Sequence, residues 1–277
     1  MDMPSNIANT SKSYVNELYV MRNVEGMSSL TVVIPTFKER DNVVEMAMAI
    51  RKEYPEFKVL FMDDNSNDGS KEAIDALNDP LTQMIVRDPA KRGLAASVLQ
   101  GFLEADTDYA MCMDCDFQHP LSALKGIKDR MDAGADLCVG VRYSRKIMGF
   151  KRAFGSRVVE AFCKIFFVLH RRPITKDMMS GLFAIRCDKF QPVIEKNWNS
   201  FELEGWKVLM DLCKYTDFKI KIDYEMYHFN SREVGESHLN PKVPIMTFHQ
   251  LWGFGKILAK MLCKMYGINY REMYPNE

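Results

Sequence analysis

Residues 109–120 read Tyr109-Ala110-Met111-Cys112-Met113-Asp114-Cys115-Asp116-Phe117-Gln118-His119-Pro120, an apolar run of strand length that ends in two carboxylates and an amide. In an extended chain, side chains at i, i+2 and i+4 fall on one face, so Asp114, Asp116 and Gln118 can converge on one point. Three such hard oxygen ligands suit Mg²⁺ or Mn²⁺ and are poor for zinc. Magnesium takes much of its shell from waters and substrate phosphates, so a strand end of this kind points to an enzyme that handles a diphosphate. On its own, an Asp-X-Asp at a strand end is more commonly a solvated turn. The surrounding organisation has to decide.

Upstream, short β-branched or apolar runs alternate with longer amphipathic ones. Leu30 to Ile34 reads as a strand stopped by Pro35, and Asp41 to Tyr54 as a helix. Phe57 to Met62 is a second strand, followed by the turn cluster Asp63-Asp64-Asn65-Ser66-Asn67-Asp68-Gly69, which can cap a helix from Ser70. Met84 to Val86 is a third strand and Gly93 to Glu104 a helix. After the strand Tyr109 to Met113 come a helix, Leu121 to Ala133, and a strand, Leu137 to Val141. This alternation predicts an α/β fold with a doubly wound, mostly parallel, Rossmann-like sheet. Ligands bind such sheets beyond the carboxyl ends of the strands. All three polar clusters, Thr36 to Asp41, Asp63 to Gly69 and Asp114 to His119, fall at those ends.

The second half differs in character. Arg152 to Leu169 reads as a basic helix rich in phenylalanine, Gly181 to Ile185 as a strand, and Glu202 to Tyr215 as a helix. Phe218 to Phe229 reads as one or two strands, and the chain after Pro244 as an amphipathic helix to about Met265. There Lys256, Lys260 and Lys264 share one face. The expected division is a flexible extension over 1–29, a main domain over 30–240, and a C-terminal amphipathic helix and tail over 241–277.

Formal net charge is zero over 277 residues, which argues against general nucleic-acid binding. The charge is nevertheless uneven. From Arg142 to Lys176 there are ten Lys or Arg against the single acid Glu160, and from Ser237 to Arg271 five basic residues and no acid. A basic second half implies an anionic partner there. The seven cysteines mostly sit in apolar runs, a pattern that fits buried thiols in a reduced compartment. Residues 1–29 lack the apolar core of a secretory signal, and no apolar run approaches the ~20 residues of a membrane-spanning helix.

With these motifs in place the chain resembles the family 2 glycosyltransferases of GT-A fold, in particular the polyprenol-phosphate glycosyltransferases of dolichol-phosphate mannosyltransferase type. The resemblance runs over roughly residues 30–240. Val33-Ile34-Pro35-Thr36-Phe37-Lys38-Glu39-Arg40-Asp41-Asn42 is similar to the family's opening I-P-T-Y-N-E-x-x-N, with Phe37 for tyrosine and Lys38 for asparagine. Asp63-Asp64-Asn65-Ser66 matches the second motif, and Lys91-Arg92-Gly93-Leu94 with Gly101 resembles K-G-L…G. Asp114 to Pro120 is similar to D-A-D-x-Q-H-P, and Gly140-Val141-Arg142-Tyr143 to G-S-R-Y. Asp177 to Phe183 resembles D-x-x-S-G-F-F, and Phe229 to His238 resembles F-x-x-R-x-x-G-E-S-K, with His238 in place of lysine.

The resemblance implies a site residue by residue. Pro35, Phe37, Glu39, Met62, Asp63 and Asp64 would hold the nucleoside of a nucleotide sugar, with Asp114, Cys115, Lys207 and His238 also on the donor side. Asp114, Asp116 and Gln118 would hold Mg²⁺ or Mn²⁺. Arg142, Arg152, Ser156 and Arg232 would grip the phosphate of a dolichyl or polyprenyl phosphate acceptor, with Asp116, Arg142 and Arg232 central to catalysis. The implied activity is inverting transfer of a sugar, mannose from GDP-mannose first, onto that lipid phosphate. The alternatives are another donor such as UDP-glucose, or a hydroxyl acceptor on a glycan or glycolipid. No Q/RxxRW motif is present, and Glu202, Glu204 and Asp211 are the candidates for a carboxylate base. An acceptor phosphate is already anionic and needs arginine more than a base. Implied partners are the membrane surface, at its cytosolic face, and a small membrane subunit.

Overall fold

A computed structural model describes residues 29–143, 161, 163–205, 207–229, 242–251 and 253–274. Seven strands form one sheet: β1 (Leu30–Thr36), β2 (Lys58–Asp63), β3 (Thr82–Val86), β4 (Tyr109–Cys112), β5 (Leu137–Arg142), β6 (Phe183–Arg186) and β7 (Ile222–Tyr227). Their spatial order is β3-β2-β1-β4-β6-β5-β7. All neighbours pair parallel except across β6, which runs antiparallel to both β4 and β5. The helices are α1 (Arg40–Glu53), α2 (Ser70–Asp75), α3 (Leu94–Glu104), α4 (Ser122–Asp132), α5 (Cys187–Asn197), α6 (Val208–Tyr215), α7 (Lys242–His249), α8 (Gly253–Tyr266) and α9 (Tyr270–Met273).

The strands alternate between two cores, as a period of two requires. Leu30, Val32 and Ile34 of β1 face a core shared with α1 and α4, whereas Val33 faces one shared with α3, α5 and α6. Tyr109, Met111 and Met113 join the first core, and Ala110 and Cys112 the second. Phe61, Phe102, Phe183 and Phe190 are completely buried or nearly so. Each such side chain contributes about 1.5–3 kcal/mol of transfer free energy. The parallel sheet between two helical layers is the predicted α/β architecture.

Several local expectations are corrected. β1 does not stop at Pro35 but continues to Thr36. Thr36 O accepts from Asp64 N on the β2 side, so Pro35 faces the β4 side, where pairing has already ended at Val33 with Cys112. Its missing N–H has no ladder bond to lose. The expected helix over 202–215 begins only at Val208, because residues 202–205 close a turn with Gly205 N donating to Glu202 O. The single C-terminal helix is two, α7 and α8, separated where Leu251 turns into the main core. Helix α5 was not expected. The seven cysteines are all buried and unbridged.

Residues 163–169 are helical, within the stretch expected as a basic helix; most of its earlier part lies outside the described residues. So do 1–28, Arg152, Ser156, Arg232 and His238.

Candidate active site

The carboxyl ends of β1, β2, β4, β5 and β7 and the start of the reversed β6 share one rim of the sheet. The expected residues that are described gather there. Beyond β1, Phe37 is 46% exposed, with the Arg92 guanidinium 5.1 Å and the Lys38 ammonium 5.4 Å from its ring centre. Both cations lie over this exposed aromatic ring. Glu39 precedes α1 and accepts from Asn42 Nδ2 at 2.7 Å.

Asp63 and Asp64 act on the loops rather than outward. Asp63 accepts from Ser66 N at 2.8 Å, and Ser66 Oγ in turn accepts from Lys38 N at 2.8 Å. The β1 and β2 loops are therefore stitched together under Phe37. Asp64 takes a buried ion pair from Arg87 and a bond from Ser97 Oγ at 2.8 Å on one oxygen, and Gly93 N at 2.9 Å on the other. Arg92 follows from this turn and donates to Asn65 O at 2.9 Å. Met62 is buried with Val98 and Leu99, and Pro35 pairs with it in the register. Completely buried, Met62 offers a ligand no surface of its own.

Beyond β4, the chain turns sharply through Phe117, whose φ is 55°. Asp114 is accessible over 43% of its side chain, and its Oδ2 lies 3.2 Å from His119 Nε2. Gln118 N donates to Asp116 Oδ1 at 3.1 Å. Cys115 points the other way, into the core with Met113 and Leu124. Burial first, then the charges of Glu39, Asp116 and Asp114, push its thiol well up, so it stays neutral. At the start of β6, a Cβ on Gly181 would stand 3.1 Å from Asp114 Oδ2. The absent side chain leaves that carboxylate its room.

His119 is buried, its ring 5.5 Å from both Tyr227 and Phe229. The Arg142 guanidinium lies 5.3 Å from the same Phe229 ring and 3.2 Å from Asp177 Oδ2. Phe229 thus bridges the acidic loop of β4 and the arginine of β5. Asp177 is almost fully buried and also accepts from Met179 N at 3.1 Å. Three residues on, Ser180 Oγ donates to Gly140 O at 2.8 Å, fastening this loop to β5. Lys207 is held below its ordinary value by burial; Asp177 and Asp114 oppose that shift and Arg142 adds to it. One ammonium therefore feels both ends of the rim.

The three candidate bases lie differently. Asp211 is fully buried and Glu202 is hydrogen-bonded to His249 Nδ1, whereas Glu204 is exposed. Arg87, Ser97, Asp177 and Phe229 organise the rim yet were not among the expected site residues, apart from two that lie inside quoted motifs. Arg87 follows an apolar strand with nothing in the local sequence to mark it.

A glycosyl transferase family 2 model matches residues 31–193, more than half of the chain. The chain belongs to this family. Its fold is accordingly GT-A, and it is a glycosyltransferase. Among curated family relatives, the dolichol-phosphate mannosyltransferase of Saccharomyces cerevisiae is 29% identical over 235 residues, covering 80% of this chain and 85% of the relative. That of Mycosarcoma maydis is 29% identical over 237 residues, covering 80% and 78%. Among solved structures, glucosyl-3-phosphoglycerate synthase from Mycobacterium tuberculosis, in complex with Mn²⁺, UDP and glucosyl-3-phosphoglycerate, superposes with a TM-score of 0.59 at 15% identity. It covers 92% of this chain and 85% of that one, which shows the shared fold.

The fit of a divalent cation can be tested on this family member's own residues. Among the described residues no group of three His, Cys, Asp or Glu forms a ready-made metal cage. Two carboxylates and an amide on an accessible loop, with the space at Gly181 kept open beside Asp114, would supply part of an oxygen shell instead. That suits an ion which draws its remaining ligands from water and a diphosphate.

Proposed function

We propose that this chain transfers a sugar, first of all mannose from GDP-mannose, to a dolichyl or polyprenyl phosphate with inversion at the anomeric carbon. One observation carries the reading: Arg142, held by buried Asp177, shares the Phe229 ring with the His119–Asp114 pair. An arginine meant for a phosphate and carboxylates meant for a donor diphosphate then face one another across a single aromatic ring. The names of the curated relatives specify a mannosyl group and dolichol phosphate, which supports the sugar and the acceptor of this reading.

The chemistry follows from these groups. An oxygen of the lipid phosphate attacks the anomeric carbon while the bond from that carbon to the donor's β-phosphate oxygen breaks. The sugar passes through an oxocarbenium-like state, and the nucleoside diphosphate leaves with the bond's electron pair. A phosphate monoester with its second pKa at about 6 is already anionic near neutrality, so no protein base has to remove a proton. Arg142, with Arg152, Ser156 and Arg232, offsets the repulsion between two anionic reactants, and the guanidinium fork matches phosphate geometry. Phe37, with Arg92 and Lys38 over its ring, meets the base as one layer of a cation-aromatic stack. Asp114, Asp116 and Gln118 would hold Mg²⁺ or Mn²⁺, which supplies Lewis-acid neutralisation of the departing diphosphate.

The C-terminal helices support a lipid acceptor. Ile257, Met261 and Met265, four apart along α8, are 55%, 62% and 66% exposed, and exposed Lys260 and Lys264 flank them. Apolar and cationic side chains so combined suit a helix lying on an anionic bilayer surface, here the cytosolic face. Among the described residues no helix is long and apolar enough to cross a membrane.

The deciding experiment incubates purified protein with dolichyl or polyprenyl phosphate, Mg²⁺ or Mn²⁺, and labelled GDP- and UDP-sugars. Lipid-linked sugar formed from one donor supports the reading. Transfer only to acceptors lacking phosphate, or to none, overturns it.

A further inference from the structure

A short loop far along the chain is built into the donor side of the rim. Leu203 O accepts from Ala96 N at 3.0 Å and Gly205 O from Ala95 N at 3.2 Å, so this loop caps the first turn of α3. It also packs on Gly93 so closely that a Cβ there would lie 2.2 Å from Leu203 O. Gly93 in turn donates to Asp64 and is followed back along the chain by Arg92, the cation at the Phe37 ring. Any displacement of residues 203–205 therefore reaches the Gly93 turn, the cation at Phe37, and Asp64.

The other side of the loop is held by the C-terminal helices. Glu202 Oε2 lies 2.5 Å from His249 Nδ1. Glu202 N donates to Asp211 Oδ2 at 3.0 Å, and Gln250 Nε2 donates to the same oxygen at 3.0 Å. His249, at the end of α7, thus grips the loop directly, and the adjacent Gln250 holds it through Asp211, whose Oδ2 also accepts from Glu202 N. The His249 ring is stacked on Tyr274 at 3.6 Å with an interplanar angle of 10°, and Tyr270 lies 5.0 Å from Tyr274. The last described residues of the chain complete the clamp.

We infer that His249, Gln250 and Tyr274 are positioning residues for donor binding: the C-terminal helices hold residues 202–205 against Gly93 and so fix the Arg92–Phe37 base platform. The clamp lends the donor side a dependence on how α7 to α9 are seated. It also works in reverse, because a coupling between two sites is reciprocal in free energy. A nucleotide on the platform tightens the α7 end. This rests on the donor placement proposed above.

The test titrates full-length protein with GDP and with UDP, each with Mg²⁺, by calorimetry. His249→Ala and Tyr274→Ala are expected to weaken the nucleotide that binds by at least about fivefold, the lower end of typical coupling. His249→Asn, which keeps an N–H close to the Nδ1 position, recovers most of it. Hydrogen exchange supplies a readout that loss of packing alone does not move: bound nucleotide slows exchange at the amides of Gln250 and Leu251 in the wild type and not in His249→Ala. If both alanine variants bind nucleotide as the wild type does, whatever their thermal midpoint, the clamp has no part in donor binding. If the wild type binds neither nucleotide, it is the donor placement itself that fails.

Discussion

Arg87 and Asp64 form a buried ion pair directly beneath the donor side of the rim, both less than a tenth exposed. The guanidinium also donates to Ser97 Oγ and Lys91 O, each at 2.9 Å, and to Gln100 Oε1 at 3.0 Å. Removing one partner of such a pair leaves the other charge buried without compensation. Arg87→Met is expected to cost about 3–5 kcal/mol in urea unfolding. Arg87→Lys restores only part of this, because a point charge cannot reach four acceptors at once.

Gly181 guards the Asp114 carboxylate. Gly181→Ala places a methyl 3.1 Å from Oδ2 and forces a shift of a few tenths of an ångström. The expected result is a kcat lower by roughly 10–100-fold with a weaker apparent affinity for Mg²⁺ and an unfolding midpoint close to wild type. Full activity in this variant would place the metal loop elsewhere.

Arg142→Lys keeps the charge and loses the fork. Under the proposed reaction, KM for the lipid phosphate rises by about tenfold, while KM for the nucleotide sugar stays near its wild-type value. Equal changes in both KM values would argue against an acceptor role for Arg142.

Asp211 gives a pH signature with a definite sign. Burial outweighs Lys214 and the bonds from Glu202 N and Gln250 and pushes its carboxyl up from the ordinary 3.8 to about 6. Between those values the folded chain keeps a proton that the unfolded chain has released, so stability falls as pH rises from about 4 to about 6. The loss from this group amounts to about 3 kcal/mol. Asp211→Asn lacks that slope. The stability of the variant minus that of the wild type, measured by denaturant unfolding, is expected to rise across this interval and level off above it.

Much of this architecture was readable in advance, and the exceptions have physical causes. β1, β2 and β4 announce themselves because each is a short apolar run ending in polar turn residues at the ligand edge. The reversed direction of β6 leaves no mark in the sequence, since Phe183–Arg186 has the same composition whichever way it runs. α5 is hidden by Pro192, which argues against a helix until the fold shows it inside that helix on an exposed position. At the site, the polar cluster Asp114, Asp116 and Gln118 was legible as the end of a strand, but the extended spacing expected for it was not kept, since β4 ends at Cys112 and the chain turns through Phe117. Arg87 was not, because its significance lies in a tertiary contact with a residue 23 positions away. The clamp of His249 on Glu202 spans 47 positions and is equally invisible to local pattern.

The reversal of β6 has a further consequence. Gly140 N donates to Leu182 O at 2.9 Å, and Val139 pairs with Phe183, so the chain leaves the sheet after Arg142 and re-enters it beside its point of departure. The two ends of the intervening segment therefore meet at a closed base. Closing such a loop costs only slightly more as it lengthens. Its length and content can change while the β1, β2 and β4 loops stay as they are. Of the residues proposed to meet the acceptor, Arg152 and Ser156 lie within that segment and Arg142 and Arg232 outside it, so the acceptor side is divided between an exchangeable part and the fixed sheet.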